Sequence, residues 1–184
     1  GATTTVAAGA TLTGTGTLTG NVTNQGTIHP GDGAGNGTLT LVGNYTGQNG
    51  TLAIDTVLGD DTSRVASLTV SGGAMSGNTA IAVNNLGGLG GLTTGNGIPM
   101  VLATGGATSS ASAFALNGTV NAGAYTYYLY KGGTTPGSEQ SWYLRSSVPV
   151  ATAVTTIDPV TGAPVTVIEE PVPATGSPAV APLG

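Results

Sequence analysis

Acid–base and nucleophilic chemistry needs groups that exchange protons or attack carbon, and the 184 residues hold one histidine and no cysteine. The histidine, His29, lies in Thr27-Ile28-His29-Pro30-Gly31, a strand end entering a turn. A Ser-His-Asp or Cys-His arrangement needs a nucleophile and an orienting acid around the imidazole. No carboxylate pattern accompanies this one, so His29 reads as a surface or turn residue. Asp60-Asp61 sets two carboxylates side by side. Neighbours on a strand point apart, whereas glycosidase carboxylates converge from about 5–10 Å. A solvated loop is the predicted role. No catalytic residue is assigned.

Gly31-Asp32-Gly33-Ala34-Gly35-Asn36-Gly37-Thr38-Leu39 is similar to a nonapeptide calcium repeat. Calcium takes six to eight oxygens, and in that repeat they come from several stacked copies. Here there is one copy, with Asn36 and Gly37 near the place of the liganding aspartate. A glycine-rich turn, with Asn36-Gly37 suited to positive φ, accounts for the same residues, and the spacing lacks the lysine and following helix of a phosphate loop. No metal and no cofactor is expected. Triplets such as Asn44-Tyr45-Thr46 fit glycosylation acceptors, but threonine and asparagine are abundant enough to produce them by chance.

Composition narrows the function classes further. Charged residues make up 6% of the chain, against roughly a quarter in an average soluble domain. Net charge is −5, with Arg64, Lys131 and Arg145 the only permanent cations. Binding a phosphate backbone takes a cluster of such cations, so no nucleic-acid partner is expected, nor an anionic lipid surface. Apolar runs fall well short of the roughly 20 residues a membrane helix needs, so no membrane insertion by this segment is expected. No charged stretch followed by an apolar core opens the chain; for an exported protein this predicts an internal fragment of a longer precursor. Without cysteine a small secreted domain has no disulfides to lean on, and backbone ladders must supply its stability. Hydrophobic residues reach 39%, too many for the low-hydrophobicity signature of disorder, but they are small and imply a thin, repetitive core.

The elements follow from spacing. Thr11-Leu12-Thr13, Thr17-Leu18-Thr19, Thr38-Leu39-Thr40-Leu41 and Thr51-Leu52-Ala53-Ile54 alternate apolar with β-branched polar residues. On a strand this puts Leu39 and Leu41 on one face and Thr38 and Thr40 on the other; Leu68 with Val70 repeats the pattern. Glycines interrupt every window long enough for a helix, so helix content should be near zero. Gly-Thr-Leu recurs from Gly16, Gly37 and Gly50, and short strands with a returning motif predict a stacked solenoid. The expected fold is all-β, a right-handed parallel β-helix ending in an aromatic-rich capping hairpin. An antiparallel β-sandwich, which has similar turn spacing, is the alternative.

Seven of the eight aromatics lie between Phe114 and Tyr143: Phe114, Tyr125, Tyr127, Tyr128, Tyr130, Trp142 and Tyr143. Tyr125–Tyr130 and Ser141–Arg145, joined by a loop from Lys131 to Gly137, read as a long-looped hairpin. A buried aromatic removes about 150–250 Å² from water, far more than a threonine or glycine rung. The rings are therefore candidates for a folding and capping cluster, the other reading being a well-filled core. Solenoid ends need such caps. Folding from the carboxyl side toward the amino side follows as a hypothesis. The remaining residues, 148–184, are proline-rich and read as an extended linker, with a strand at Val165–Val167 if it finds a partner edge.

Several segments in order resemble the end of autotransporter passenger domains and their pertactin-like autochaperone portion. They are Gly26–Asp32, Gly37–Thr46, Asp61–Val65, Leu68–Gly72, Gly97–Val101, Phe114–Leu116, Gly123–Tyr127 and Trp142–Arg145. The resemblance spans roughly Gly26 to Ser147. It implies a β-helix at the surface of a Gram-negative bacterium, exported across the outer membrane through a carboxyl-terminal β-barrel of the same polypeptide. It implies a non-catalytic role in promoting passenger folding. The implied partners are that barrel and upstream passenger coils, neither present in this chain, and the segment is expected to be a monomer. The barrel and its pore helix do not follow Gly184, so this piece by itself is not expected to translocate a passenger, and the proline-rich tail departs from the pattern expected ahead of a barrel. An adhesin-type module contacting a host receptor or glycan is the alternative function, and it requires the tyrosine rings to be exposed.

Overall fold

Alternating threonine and leucine, broken by glycine too often for any helix, yields strands throughout. The computed structural model describes residues 2–147, 152–169 and 179–180, and every helix or strand element among them is a strand. The amino-terminal part runs β1 (Thr3–Val6), β2 (Thr11–Gly14), β3 (Gly16–Thr19), β4 (Asn21–Asn24) and β5 (Thr27–Pro30). Two 19-residue strands follow, β6 (Thr38–Thr56) and β7 (Ser67–Asn85). After them come β8 (Ile98–Thr104), β9 (Thr108–Ser109), β10 (Phe114–Leu116), β11 (Val120–Ala122), β12 (Tyr125–Lys131) and β13 (Trp142–Ser147).

The runs expected as separate short strands at Thr38–Leu41 and Thr51–Ile54 both belong to β6. The ladder between β6 and β7 carries on around bends, with register irregularities at Gly43/Tyr45 and Gln48/Gly50. At Gly43 φ is 141° and at Asn49 it is 59°, backbone that side chains seldom adopt. Bends stacked this closely also exclude side chains: a Cβ on Gly73 would strike the Gly43 carbonyl, and one on Gly77 the Gly47 carbonyl.

All pairings among β1–β10 are parallel. The antiparallel sandwich held as the alternative does not form there. Identical inward positions stack into columns. Leu12, Ile28, Leu52, Ile81 and Leu116 are successive partners. Leu18, Leu41, Val70 and Ala103 make a second column. With about 4.8 Å between paired strands, side chains in a column touch their neighbours above and below. Leu39, Leu41, Leu52, Ile54, Leu68 and Val70 are all buried, as their alternation predicts.

Stacked partners grow further apart along the chain: Thr11 pairs 16 positions on with Thr27, Thr51 pairs 29 on with Ala80, and Ala80 pairs 35 on with Ala115. Phe114, on the strand with the longest of these intervals, and Tyr127 and Trp142 after it are among the largest fully buried side chains.

The pairing sense changes at β8. One edge of β8 pairs parallel with β7 and the other antiparallel with β13. β12 then pairs antiparallel with β13, and β11 with β12. The predicted aromatic hairpin is thus β12 and β13, with Lys131 opposite Trp142 at the loop end.

Residues 152–169, read as extended linker, instead hold an antiparallel hairpin of β14 (Thr152–Ile157) and β15 (Pro164–Glu169). β15 contains the strand expected at Val165–Val167, and β14 is its partner edge. The turn accounts for the difference: the Val160 amide donates to Asp158 Oδ1 at 2.8 Å, and Gly162 takes a φ of 72°. Residues 170–178 of the stretch read as extended linker lie outside the described residues. A last short strand, β16 (Ala179–Val180), pairs antiparallel with β12.

A candidate folding and capping site

Strand alternation and register bring the aromatic side chains together. Phe114 enters on β10 opposite Thr79 of β7, which places its ring over the Tyr45 side chain of β6. The two rings stack 5.7 Å apart with planes 13° from parallel. On its other side Phe114 meets Trp142 of β13 edge-to-face at 5.4 Å. Both geometries suit the ring quadrupole. All three side chains are fully buried, so one aromatic spine joins the early strand β6 to the final hairpin.

Each polar atom on this spine is satisfied, as burial demands. The Tyr45 hydroxyl shares a 2.6 Å hydrogen bond with Thr79 Oγ1 and accepts one from Asn24 Nδ2 at 3.2 Å. Asn24 Nδ2 also donates to the Thr51 carbonyl at 3.0 Å. Burial raises the Tyr45 phenol above its ordinary pKa, against the opposing hydrogen bonds from Thr79 and Asn24. Trp142 Nε1 donates to Ser109 Oγ at 2.9 Å.

Tyr127 ties two loops to β12. Its hydroxyl donates to the Gly59 carbonyl at 2.7 Å and accepts from the Gly91 amide at 3.1 Å. The ring is 1% exposed, and burial raises the phenol pKa. Arg145 is a buried cation on β13. Its Nε donates to the Asn96 carbonyl at 3.0 Å and its guanidinium to the Gly132 carbonyl at 2.8 Å. The guanidinium carbon lies 4.4 Å from the Tyr130 ring centroid, a cation–π contact. Burial lowers the Arg145 pKa and raises that of Tyr130.

Of the seven rings singled out in the sequence, Phe114, Tyr127, Tyr130, Trp142 and Tyr143 are buried, while Tyr125 and Tyr128 are half-buried. They form no exposed tyrosine row of the kind the receptor- or glycan-binding alternative requires. The sequence reading missed Tyr45, the one aromatic outside the carboxyl-terminal zone, together with its partners Asn24 and Thr79. Its signals were its isolation and its place in the Gly37–Thr46 segment. Arg145 stood out as one of three permanent cations and as the end of the Trp142–Arg145 segment; Ser109 gave no signal.

The polar candidates are engaged within the fold. His29 Nε2 lies 2.7 Å from Asp55 Oδ2, a carboxylate 2% exposed, and Asn84 Nδ2 donates to Asp55 Oδ1 at 2.9 Å. The carboxylate beside His29 was invisible in sequence because 26 residues separate the pair. Asp61, expected in a solvated loop, is half-buried and clamps the loop before β8. Oδ1 accepts the Thr94 amide at 2.6 Å, and Oδ2 accepts the Gly95 and Gly97 amides at 2.9 and 2.8 Å. Burial pushes its pKa up, but the three amides outweigh that and hold it below the ordinary value. Asp60 is exposed and caps its own turn through the Thr62 amide and hydroxyl. Asp32 accepts from the Ala34 and Asn36 amides. Within that turn Gly31, Gly33, Gly35 and Gly37 take positive φ; Asn36 does not.

Comparison with known proteins places this arrangement. Residues 16–129 match the family described as Autochaperone Domain Type 1. The chain belongs to that family. It is an autotransporter autochaperone region, and the motif run read as a resemblance lies mostly inside the match; β13, with Trp142 and Tyr143, falls beyond it. The chain is 46% identical over 132 residues to the Adhesin BmaC autotransporter of Brucella suis biovar 1 (strain 1330), covering 68% of this chain and 4% of that protein. It is 37% identical over 135 residues to the Probable autotransporter YfaL of Escherichia coli (strain K12), covering 71% and 10% respectively. Against the Autotransporter adhesin AIDA-I of Escherichia coli it is 40% identical over 119 residues, or 64% and 9%. The chain thus spans a tenth or less of the length of these relatives. Autochaperone domains of this type are structural and promote folding; the family is not a catalytic one. Its setting is the Gram-negative cell surface, reached across the outer membrane.

Proposed function

We propose that residues 1–147 form the end of a right-handed parallel β-helix in a surface passenger, and that the aromatic layer is its folding seed and cap. The observation that supports this most is the spine Tyr45–Phe114–Trp142, which carries heavy ring burial from β6 into the carboxyl-terminal strands β10 and β13. At the amino-terminal end the inward residues are smaller and less covered: Leu12 and Leu18 are only partly buried. A rung that buries so little must gain its ladder bonds from an edge already in place. Ring burial in the last strands supplies that edge first, and the thin rungs then add toward the amino terminus. The antiparallel strands β13, β12 and β11 close the other side, where another parallel rung would otherwise dock.

In this reading residues 148–184 lead toward a β-barrel of the same polypeptide, and upstream passenger rungs stack on β1–β3. Relatives named as adhesins describe those proteins; a host contact made by this chain would have to use a surface other than the buried rings.

The experiment compares refolding rates and surface display of the Trp142→Ala and Tyr127→Ala variants with those of Val6→Ala, a buried residue at the far end. A seed at the aromatic end slows refolding and display in the first two, while Val6→Ala mainly speeds unfolding. Unchanged refolding and display in Trp142→Ala and Tyr127→Ala would sink the seeding role.

A further inference from the structure

Strand β12 is the outermost long strand of the cap, and its two edges are occupied differently. Along one edge it pairs with β13 at every position from Thr126 to Lys131. The other edge pairs with β11 only at Tyr125–Tyr127. Each strand residue has two lateral neighbours at most, and Leu129 and Tyr130 already pair with Leu144 and Tyr143 of β13. Their pairing with Val180 and Ala179 therefore lies on the same outer edge as β11. The outer ladder passes from β11 to a strand contributed by the far end of the chain.

We propose that Ala179–Val180 is an edge guard, a strap that occupies the outer edge of β12 so that no further strand can dock there. This goes beyond the seeding role and does not rest on it. An open strand edge offers unpaired amides and carbonyls to any extended chain, and short strands and prolines are the usual means of blunting it. The segment has both features. Among the described residues its pairing stretch is two residues long, and the sequence around it is Pro178-Ala179-Val180-Ala181-Pro182. Proline has no amide hydrogen to donate and cannot continue a ladder. A strand bracketed in this way takes the open edge of β12 and presents little new edge of its own. Alanine and valine suit a strand, and the segment carries no charge to oppose pairing beside Tyr130. The guarded edge is also the one through which a second copy would add to the sheet.

The test is hydrogen–deuterium exchange on the full chain and on an Ala179→Pro/Val180→Pro double variant, which removes both strap amides. Exchange of the outward-facing amides within Leu129–Lys131 is expected to accelerate roughly tenfold or more in the variant, with Leu144 in β13 unchanged. An Ala179→Val/Val180→Ile variant keeps the backbone donors and should retain full protection. Equal exchange in the full chain and the proline variant would overturn the proposal. So would loss of protection at Leu144, since a guard on the outer edge is not what holds β13. Protection at Leu129–Lys131 that rises with protein concentration in the full chain would identify a second copy as the occupant, and would overturn it as well. Every one of these results leaves the refolding behaviour of Trp142→Ala to be judged separately.

Discussion

The ring of Phe114 stacks on that of Tyr45 at 5.7 Å although 69 positions separate them in the chain. One side chain on a three-residue strand thereby joins the first long strand to β13. Truncating a buried aromatic costs about 3–5 kcal/mol, so Phe114→Ala is expected to lose stability in that range by denaturant titration. Tyr45→Phe keeps the stacked ring and removes only the hydroxyl, leaving Thr79 without that partner. It should cost about 1–3 kcal/mol. A larger loss in Tyr45→Phe than in Phe114→Ala would show that the hydrogen bonds, not the rings, carry this contact.

Tyr127 reaches from β12 to Gly59 and Gly91 through a single oxygen. Tyr127→Phe is expected to preserve ring packing while releasing both loops. Global stability should fall by about 1–2 kcal/mol, and amide exchange should speed up around residues 58–61 and 88–92 before it does in β6 or β7. Uniform acceleration across the sheet would mean that the hydroxyl serves the whole stack and not the two loops.

Asp61 gives a pH dependence of defined sign. Its folded pKa lies below the ordinary 3.8 because three backbone amides favour the carboxylate more than burial disfavours it. A depressed acid contributes stability that is complete above its unfolded value and is lost as pH falls through the folded one. Acid titration should therefore loosen the 94–97 loop below about pH 4, the region where the unfolded carboxyl begins to bind protons. In Asp61→Asn that acid-dependent step should vanish, and the loop should already be loose at pH 7, because the amide nitrogen cannot accept the Gly95 and Gly97 hydrogens. The measurement is exchange at Gly95 and Gly97 as a function of pH.

Gly73 tests how tightly the rungs stack. A methyl group there would strike the Gly43 carbonyl of the rung below, and overpacking of this kind costs about 1–3 kcal/mol. Gly73→Ala should lower the unfolding midpoint by that amount and should shift the register irregularity beside Gly43, observable as changed amide chemical shifts at Asn44 and Tyr45. A neutral outcome would mean that the bend adjusts freely.

Much of this was legible in the residues themselves. Alternating threonine and leucine determined that the described residues form strands and no helix, and which of Leu39, Leu41, Leu52 and Ile54 face inward, because side-chain direction on a strand is a local property. The aromatic hairpin of β12 and β13 was equally local, since its halves are close in sequence and their loop carries its own turn residues.

Where stacked rungs meet depends on how far the chain travels before returning, and the interval grows from 16 to 35 positions without a marker in the sequence. Tertiary structure therefore decided every contact across rungs. It set Asp55 beside His29, Asp61 beneath the 94–97 loop, Asn24 and Thr79 on Tyr45, and Ser109 on Trp142. It also decided the pairing of the described tail residues, where Asp158 and Gly162 turn the chain into a hairpin and Ala179–Val180 pairs with β12. Strand periodicity says which face a residue takes. Only the register between strands distant in sequence says what it meets there.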